Sequence, residues 1–297
     1  MSGSVLQRIS NGVLMSDGAM GTELQAAGLS SGECGDHWNI TQPQKVAGIH
    51  RSYFEAGSDV LITNTFGACS LMLKRHGLAE EVAAINEAGV SLAREAGTDE
   101  TLVLGDIGPF GGIMAPLGDV AIQDVRDSLK EQVEVLVASG VDGIIVETQT
   151  ALEEATIGVE AALQAGAPCV IVSFSYDVKH DGSDVATMMG IAPEEAAAFA
   201  TSSGAHILGV NCGTSIDADW AARITKRYRK SCDLPVMAQP NAGQPVLEGA
   251  KVVYRETPQE MAARIPTLLN AGVSIVGACC GSTPDHIEAI HRAVRLA

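Results

Sequence analysis

The chain has 297 residues, a formal net charge of −17, 46% hydrophobic and 19% charged residues. That is enough apolar material for a full core, which excludes a disordered chain. The acidic balance, with no basic cluster, excludes nucleic acid and anionic membrane as partners. Aromatics are only 4% against 32 glycines, so close backbone packing and sharp turns are favoured over stacking surfaces. The longest apolar stretches are short and end in Gly, Asp or Asn, so nothing spans a bilayer. The opening MSGSVLQRIS lacks the apolar region of a secretory signal. With no export signal, the seven Cys are expected as reduced thiols, and the expected compartment is the cytoplasm.

In chain order, eight short runs rich in Val, Ile and Leu read as strands: Val13–Asp17, Asp59–Thr65, Leu102–Asp106, Gly143–Glu147, Cys169–Ser175, Ile207–Asn211, Pro235–Gln239 and Ser274–Cys279. None alternates cleanly between polar and apolar, the pattern of parallel strands covered on both faces. Segments of helical spacing lie between them: Pro43–Ala56, Glu80–Ala96, Val120–Ser139, Leu152–Gln164, Pro193–Ser203, Asp217–Lys230, Thr257–Asn270 and Thr283–Ala297. Five connections pass through Ala-Gly or Ser-Gly pairs (Gly57, Gly140, Gly166, Gly204 and Gly272), and such a Gly supplies a left-handed helix cap. Eight βα units in a chain of this length predict one α/β domain over residues 1–297, a single (β/α)8 TIM barrel, typically of ~250 residues. A doubly wound open sheet is the competing architecture. It would carry a GxGxxG turn after its first strand, and the glycines of Asp17–Gly21 do not have that spacing.

Barrel chemistry sits at the C-terminal ends of the strands. Every run here ends in polar or thiol groups: Asp17-Gly18, Thr63-Asn64-Thr65, Asp106, Glu147-Thr148, Ser173 and Ser175, Asn211-Cys212, Gln239 through Gly243, and Cys279-Cys280. If the barrel closes, Cys212 after the sixth strand and Cys279 and Cys280 after the eighth can converge. Three thiolates are a plausible zinc set, with the fourth tetrahedral position left for a substrate. The bland alternative for a Cys is a small buried hydrophobe, and Cys34, Cys69, Cys169 and Cys232 are read that way. Three thiolates on Zn2+ give a net anionic site. It is a weak Lewis acid toward water but able to bind an incoming thiol as its thiolate, the nucleophilic form. Asn64 and Thr65 are read as bonding neighbouring loops, Asp106 as lying behind the site or capping the GPFG turn. His206, His286 and His291 are read as surface or capping residues.

The blocks DGAMGTEL (Asp17–Leu24), YFEAGSDVLITNTF (Tyr53–Phe66), GDIGPFG (Gly105–Gly111), VETQTALEEA (Val146–Ala155), VNCG (Val210–Gly213), QPNAGQP (Gln239–Pro245), VY…TPQEMA (Val253–Ala262) and GACCGSTPDHI (Gly277–Ile287) resemble the homocysteine S-methyltransferases. That family includes the homocysteine-binding barrel of cobalamin-dependent methionine synthase. The resemblance covers nearly the whole chain, in the family's order. It implies Zn2+ held by Cys212, Cys279 and Cys280. It also implies Asp17 and Glu147, with Thr148 beside it, at the ammonium of homocysteine and the Gly18 and Ala19 amides at its carboxylate. Asn241 matches a residue that can fill the zinc's fourth position until homocysteine displaces it; a plain turn Asn before Ala-Gly is the equal alternative.

The implied activity is methyl transfer to the homocysteine thiolate, giving methionine. The donor candidates are S-methylmethionine, a betaine-like compound, or methylcobalamin on a separate corrinoid protein. The alternative function is a methyltransferase subunit of a corrinoid-dependent system, with another donor or thiol acceptor. A redox sensor built on the vicinal thiols would have no need of Asp17 or Glu147. The chain departs from the family pattern at Ala278 (GACC for the usual GGCC), at Thr187–Gly190, and at Ile62, where the methionine synthase branch often has Glu. These positions bear on the donor. As 297 residues are too few for folate and cobalamin modules and end about where the barrel does, the expectation leans to a small-molecule donor.

Overall fold

The computed structural model describes residues 4–249 and 251–296. Ala297, the last residue of the final predicted helix, lies outside them, as do the first three residues of the segment read for a leader. Eight parallel strands form the barrel: β1 (Leu14–Met15), β2 (Val60–Ile62), β3 (Leu102–Ile107), β4 (Gly143–Gln149), β5 (Val170–Phe174), β6 (Ile207–Asn211), β7 (Val236–Gln239) and β8 (Ile275–Val276). Their order is β1-β8-β7-β6-β5-β4-β3-β2. A parallel bridge between Ser16 and Val60 joins the two ends and closes the ring. The fold is a (β/α)8 barrel.

Side-chain parity explains why every strand is apolar throughout. In β3 Leu102 and Leu104 point into the barrel while Val103 and Ile107 pack outward on the helices. In β4 Ile145 points in and Ile144 and Val146 point out. The inner cluster is completed by Val60, Ile171, Ile207, Met237 and Ile275. Beneath it the helix Val5–Ile9 seats Val5, with Leu6 and Ile9 packed alongside. The period of two carries Asp106, Glu147, Ser173, Asn211 and Gln239 inward one layer above. The top of the barrel interior is therefore polar while the layers beneath it are apolar.

The helices follow the expected bounds closely: Pro43–Glu55, Val82–Ala96, Ile122–Ala138, Leu152–Gln164, Pro193–Ser203, Ala218–Ser231, Pro258–Ala271 and Pro284–Arg295. The five predicted capping glycines all have positive φ, from +76° to +105°. Several strand bounds need correction: the first run is a strand only over Leu14–Met15, the second only over Val60–Ile62, and the third continues to Ile107. The run Ser274–Cys279 is a strand only to Val276, because at Gly277 the chain passes so close to the first strand that a Cβ would fall 2.7 Å from the Asp17 carbonyl oxygen. The fourth run extends beyond Glu147 to Gln149 through a register shift between Val146 and Gln149. Short helices at Met20–Ala26, Trp38–Thr41 and Ser70–Lys74, and hairpins pairing Asp177–Val178 with Val185–Ala186 and Pro245–Glu248 with Lys251–Tyr254, were not legible as βα units. Among the described residues no helix is long and apolar enough to cross a membrane.

The inner cluster should dominate stability. Leu104 is fully buried in it, so Leu104→Ala is expected to cost about 2–5 kcal/mol, read as a lowered urea midpoint with the slope unchanged. A loss below about 1 kcal/mol would mean that the barrel interior is not close-packed.

Candidate metal centre and substrate cavity

A cavity of about 370 Å³ opens at the C-terminal end of the barrel, within the size range of small-molecule sites. Asp17, Asp36, Asp106 and Glu147 line it together with Cys212, Cys279 and Cys280, and among the described residues no Lys, Arg or His does. The C-terminal ends of strands β1 to β4, β6, β7 and β8, or the turns that follow them, contribute to its wall.

The three sulfurs come from two chain turns. Cys212 follows β6 with φ +55°, and Gly213 after it with φ +85°. A side chain at Gly213 would collide with the Tyr176 carbonyl oxygen, so the turn that presents Cys212 requires glycine there. Cys279 and Cys280 lie in the loop after β8, where the Cys279 N–H donates to the Pro240 carbonyl at 2.8 Å and the Cys280 carbonyl accepts from Ala242 at 3.0 Å. The Cys212 and Cys280 Sγ atoms are 3.7 Å apart, those of Cys279 and Cys280 4.0 Å, and all three lie within 4.8 Å of one another. Two sulfurs bound to one tetrahedral zinc at ~2.3 Å would be about 3.8 Å apart, so the donor set fits the ion in type, number and spacing. Asn241 adds a second sign of fit. Its Nδ2 donates to the Gly213 carbonyl at 2.9 Å, while its buried Oδ1 has no partner. It does not line the cavity itself.

The electrostatics of the thiols follow from their contact. Hydrogen bonds from Cys212 and then Cys279 hold Cys280 far below the ordinary thiol range, at about 3, with the Tyr254 hydroxyl adding to them. Cys279 is pushed well up by those same bonds to Cys212 and Cys280 and by burial. For Cys212 the bond with Cys279 acts downward but is outweighed by the bond to Cys280 and by burial, which push it up to about 12. Without a cation, one negative charge is what the three sulfurs support; a divalent ion would hold all three as thiolates. Sequence reasoning missed Tyr254, which reaches Cys280 from the Lys251–Tyr254 strand of a hairpin.

The carboxyls are crowded and dry. Asp17 Oδ2 accepts from the Ile62 N–H at 2.8 Å and Oδ1 from Ser16 at 3.3 Å, yet burial still raises its pKa to about 8. Burial likewise raises Glu147 to about 7, against a hydrogen bond with Asp106 that lowers it. Asp106 is pushed well above the carboxylate range by burial and then by the Glu147 charge. Two buried carboxyls this close cannot both ionise readily, so the pair favours holding a proton between them. Asp106 does not cap the GPFG turn: the Phe110 N–H of that turn donates to Glu154 Oε1 at 2.6 Å.

Of the other expected substrate contacts, Gly18, Ala19 and Thr148 all line the cavity. The Ala19 amide, however, already donates to Ser282 Oγ at 3.0 Å. This corrects the expectation that it is free for a carboxylate. The donors left at this end are Gly18 and the first-turn amides of Met20–Ala26, a helix that no side chain caps. A Cβ at Gly18 would lie 2.7 Å from Ser282 Oγ. Thr148 has φ +57°, and both its amide and its Oγ1 are bonded to Asn211. Asn64 bonds Gly35 of the first loop and Asn39 of a short helix while also lining the cavity, and Thr65 bonds the Asp106 carbonyl of β3 rather than a loop. His286 bonds Thr283 at its helix start and the Glu256 carbonyl. His206 accepts from the Val170 amide, which makes it a strand link rather than a ligand. Ile62 and Ala278 line the cavity, whereas Met188 and Met189 are exposed.

Comparison with known proteins agrees with this geometry. Residues 14–294 match the family described as Homocysteine S-methyltransferase. Methionine synthase of Mycobacterium leprae is 32% identical over 306 residues, which cover 98% of this chain and 25% of that protein. Methionine synthase of Mycobacterium tuberculosis is 31% identical with the same coverage. The chain thus spans about a quarter of the length of the curated relatives it matches. Among solved structures, the metallated form of the homocysteine methyltransferase MmuM from Escherichia coli superposes with a TM-score of 0.78 at 22% identity, covering 97% of this chain and 99% of that one. At that identity the likeness speaks for the fold. The family match, which takes in nearly the whole barrel and both cysteine turns, speaks for more: the chain belongs to the homocysteine S-methyltransferase family.

Proposed function

We propose that this chain, read as one barrel domain over residues 1–297, transfers a methyl group to the thiolate of homocysteine to give methionine, with Zn2+ held by Cys212, Cys279 and Cys280. The observation that carries the reading is that three sulfurs at tetrahedral spacing open into the same cavity as a cluster of buried carboxyls, with no basic side chain among the described residues that line it. A zinc ion held by these cysteines would bind an incoming thiol and keep it as the thiolate. The chain's own groups do the rest. Asp17 and Glu147 pair with the ammonium, and Gly18 with the first-turn amides of Met20–Ala26 receives the carboxylate. The amino acid is then held at both ends, with its sulfur directed to the cysteines. In the transfer the thiolate sulfur forms a bond to the methyl carbon in line, and the donor's leaving group departs with the electron pair of the broken bond. Positioning is the protein's main contribution, and no proton need be moved on the donor. Asn241 Oδ1, buried without a partner, is the chain's internal candidate for the fourth position before homocysteine arrives.

The donor divides two readings. A small donor, S-methylmethionine or a betaine-like compound, can enter the cavity directly. A second reading, in which methylcobalamin is delivered by a separate corrinoid protein, is favoured by the loops around the mouth. Connections after β3, β5 and β7 expose Ile113 and Leu117, Met188 and Met189, and Leu247 by 49–78%, apolar side chains on the same end of the barrel that a protein partner would cover.

The activity test is direct. Zinc-loaded protein incubated with homocysteine and each donor in turn, with and without methylcobalamin on a corrinoid protein, is expected to yield methionine with one donor class. Cys212→Ser, Cys279→Ser and Cys280→Ser are each expected to lower zinc content and cut turnover by at least about a hundredfold while the barrel stays folded by circular dichroism. Full turnover in any of them would remove the metal assignment.

The raised carboxyls predict a pH dependence of binding. Asp17 must ionise to pair with the ammonium, so affinity rises as pH approaches about 8 from below and weakens by up to about tenfold per unit on the acid side. Asp17→Asn should weaken homocysteine binding and flatten that slope between pH 6 and 8 in calorimetric titrations. An unchanged slope would show that the proton comes from elsewhere.

A further inference from the structure

Strand β4 loses its parallel register between Val146 and Gln149. Glu147 and Thr148 occupy the gap, and Thr148 has φ +57°. For a β-branched residue that is a genuine outlier, and such a backbone persists only where its surroundings over-determine it. A side chain from another strand does so here. Asn211, at the end of β6, accepts at Oδ1 from the Thr148 N–H (3.1 Å) and donates from Nδ2 to Thr148 Oγ1 (2.8 Å).

The carboxamide is itself fixed from the strand between. Ser173 of β5 donates through its Oγ to the same Oδ1 at 2.6 Å. Room for that serine is made by Gly209, where a Cβ would fall 2.6 Å from Ser173 Oγ. Asn211 is fully buried, so water does not compete for these bonds. Three strand ends are joined through one side chain.

We infer that Asn211 is a positioning residue whose carboxamide holds Thr148 in the left-handed conformation, and so fixes the backbone next to Glu147, whose carboxyl the strand already directs into the cavity, in place to meet the substrate ammonium. This rests on the proposed role of Glu147. A purely structural Asn would stabilise the barrel by the same bonds, whatever residue stood at 148. A positioning Asn becomes dispensable once residue 148 can take a positive φ unaided. Glycine can, and this separates the two roles.

The test is a coupling cycle in zinc-loaded protein, read by calorimetric titration with homocysteine. Asn211→Ala is expected to weaken binding on the order of tenfold or more. Added to a Thr148→Gly background, the same change is expected to cost less than about threefold relative to Thr148→Gly alone. Equal losses in the two backgrounds would overturn the inference. A ligand-free measurement decides it independently: in a crystal structure of Asn211→Ala, residue 148 is expected to leave the positive-φ region. A φ still near +57° would overturn it. If the unaltered protein binds no homocysteine, the functional reading falls, and the backbone measurement still judges the role of Asn211.

Discussion

The site depends on one constraint: three sulfur atoms that follow strands which are not neighbours must meet within 4.8 Å of one another. β6 and β8 are separated by β7, so ordinary strand ends would leave their side chains too far apart. The gap is closed by backbone that ordinary residues avoid. Cys212 and Gly213 both have positive φ, and Gly213 passes against the Tyr176 carbonyl; Gly281, after the vicinal pair, has φ +81° and passes against Tyr254. The loop after β7 is threaded between them, bonded to both cysteine turns through Asn241, Pro240 and Ala242. Strain of this kind is kept where function needs it and is offset by the packing around it.

The second consequence is electrostatic. Barrel parity drives Asp106 and Glu147 into a buried cavity beside Asp17 and the thiols, with no basic side chain among the described residues of its wall. Burial then raises all three carboxyls. Burial among like charges favours the protonated form of each carboxyl. A divalent cation at the sulfurs and an ammonium at the carboxyls both relieve this crowding, each displacing protons. The affinity of the site for cations is thus built from the same burial that makes it costly.

Much of this could be read from the residues. Doubly buried parallel strands give apolar runs, and glycine-capped helices between them give a barrel. Closure of a barrel then brings Cys212 and the Cys279–Cys280 pair to the same rim. Asp17, Gly18, Glu147 and Thr148 were legible as strand-end residues for the same reason, and all line the cavity. What was not legible depends on contacts between distant segments. Nothing local marks Ser282 as the partner that occupies the Ala19 amide, or Tyr254 as a neighbour of Cys280. The register shift in β4 has no glycine to announce it, since Thr148 adopts positive φ only because Asn211 holds it there. The end of β8 was misplaced because the Val-Gly-Ala-Cys run continues the strand pattern while the chain has already turned against Asp17.

The central claim, one metal ion shared by the three cysteines with a position open to the cavity, is tested most directly by X-ray absorption at the zinc edge on the metal-loaded protein, before and after homocysteine is added. The account predicts three sulfur neighbours at ~2.3 Å and one lighter neighbour without the thiol, becoming four sulfurs with it. Two or fewer sulfurs in the first state, or no added sulfur on binding homocysteine, would contradict it.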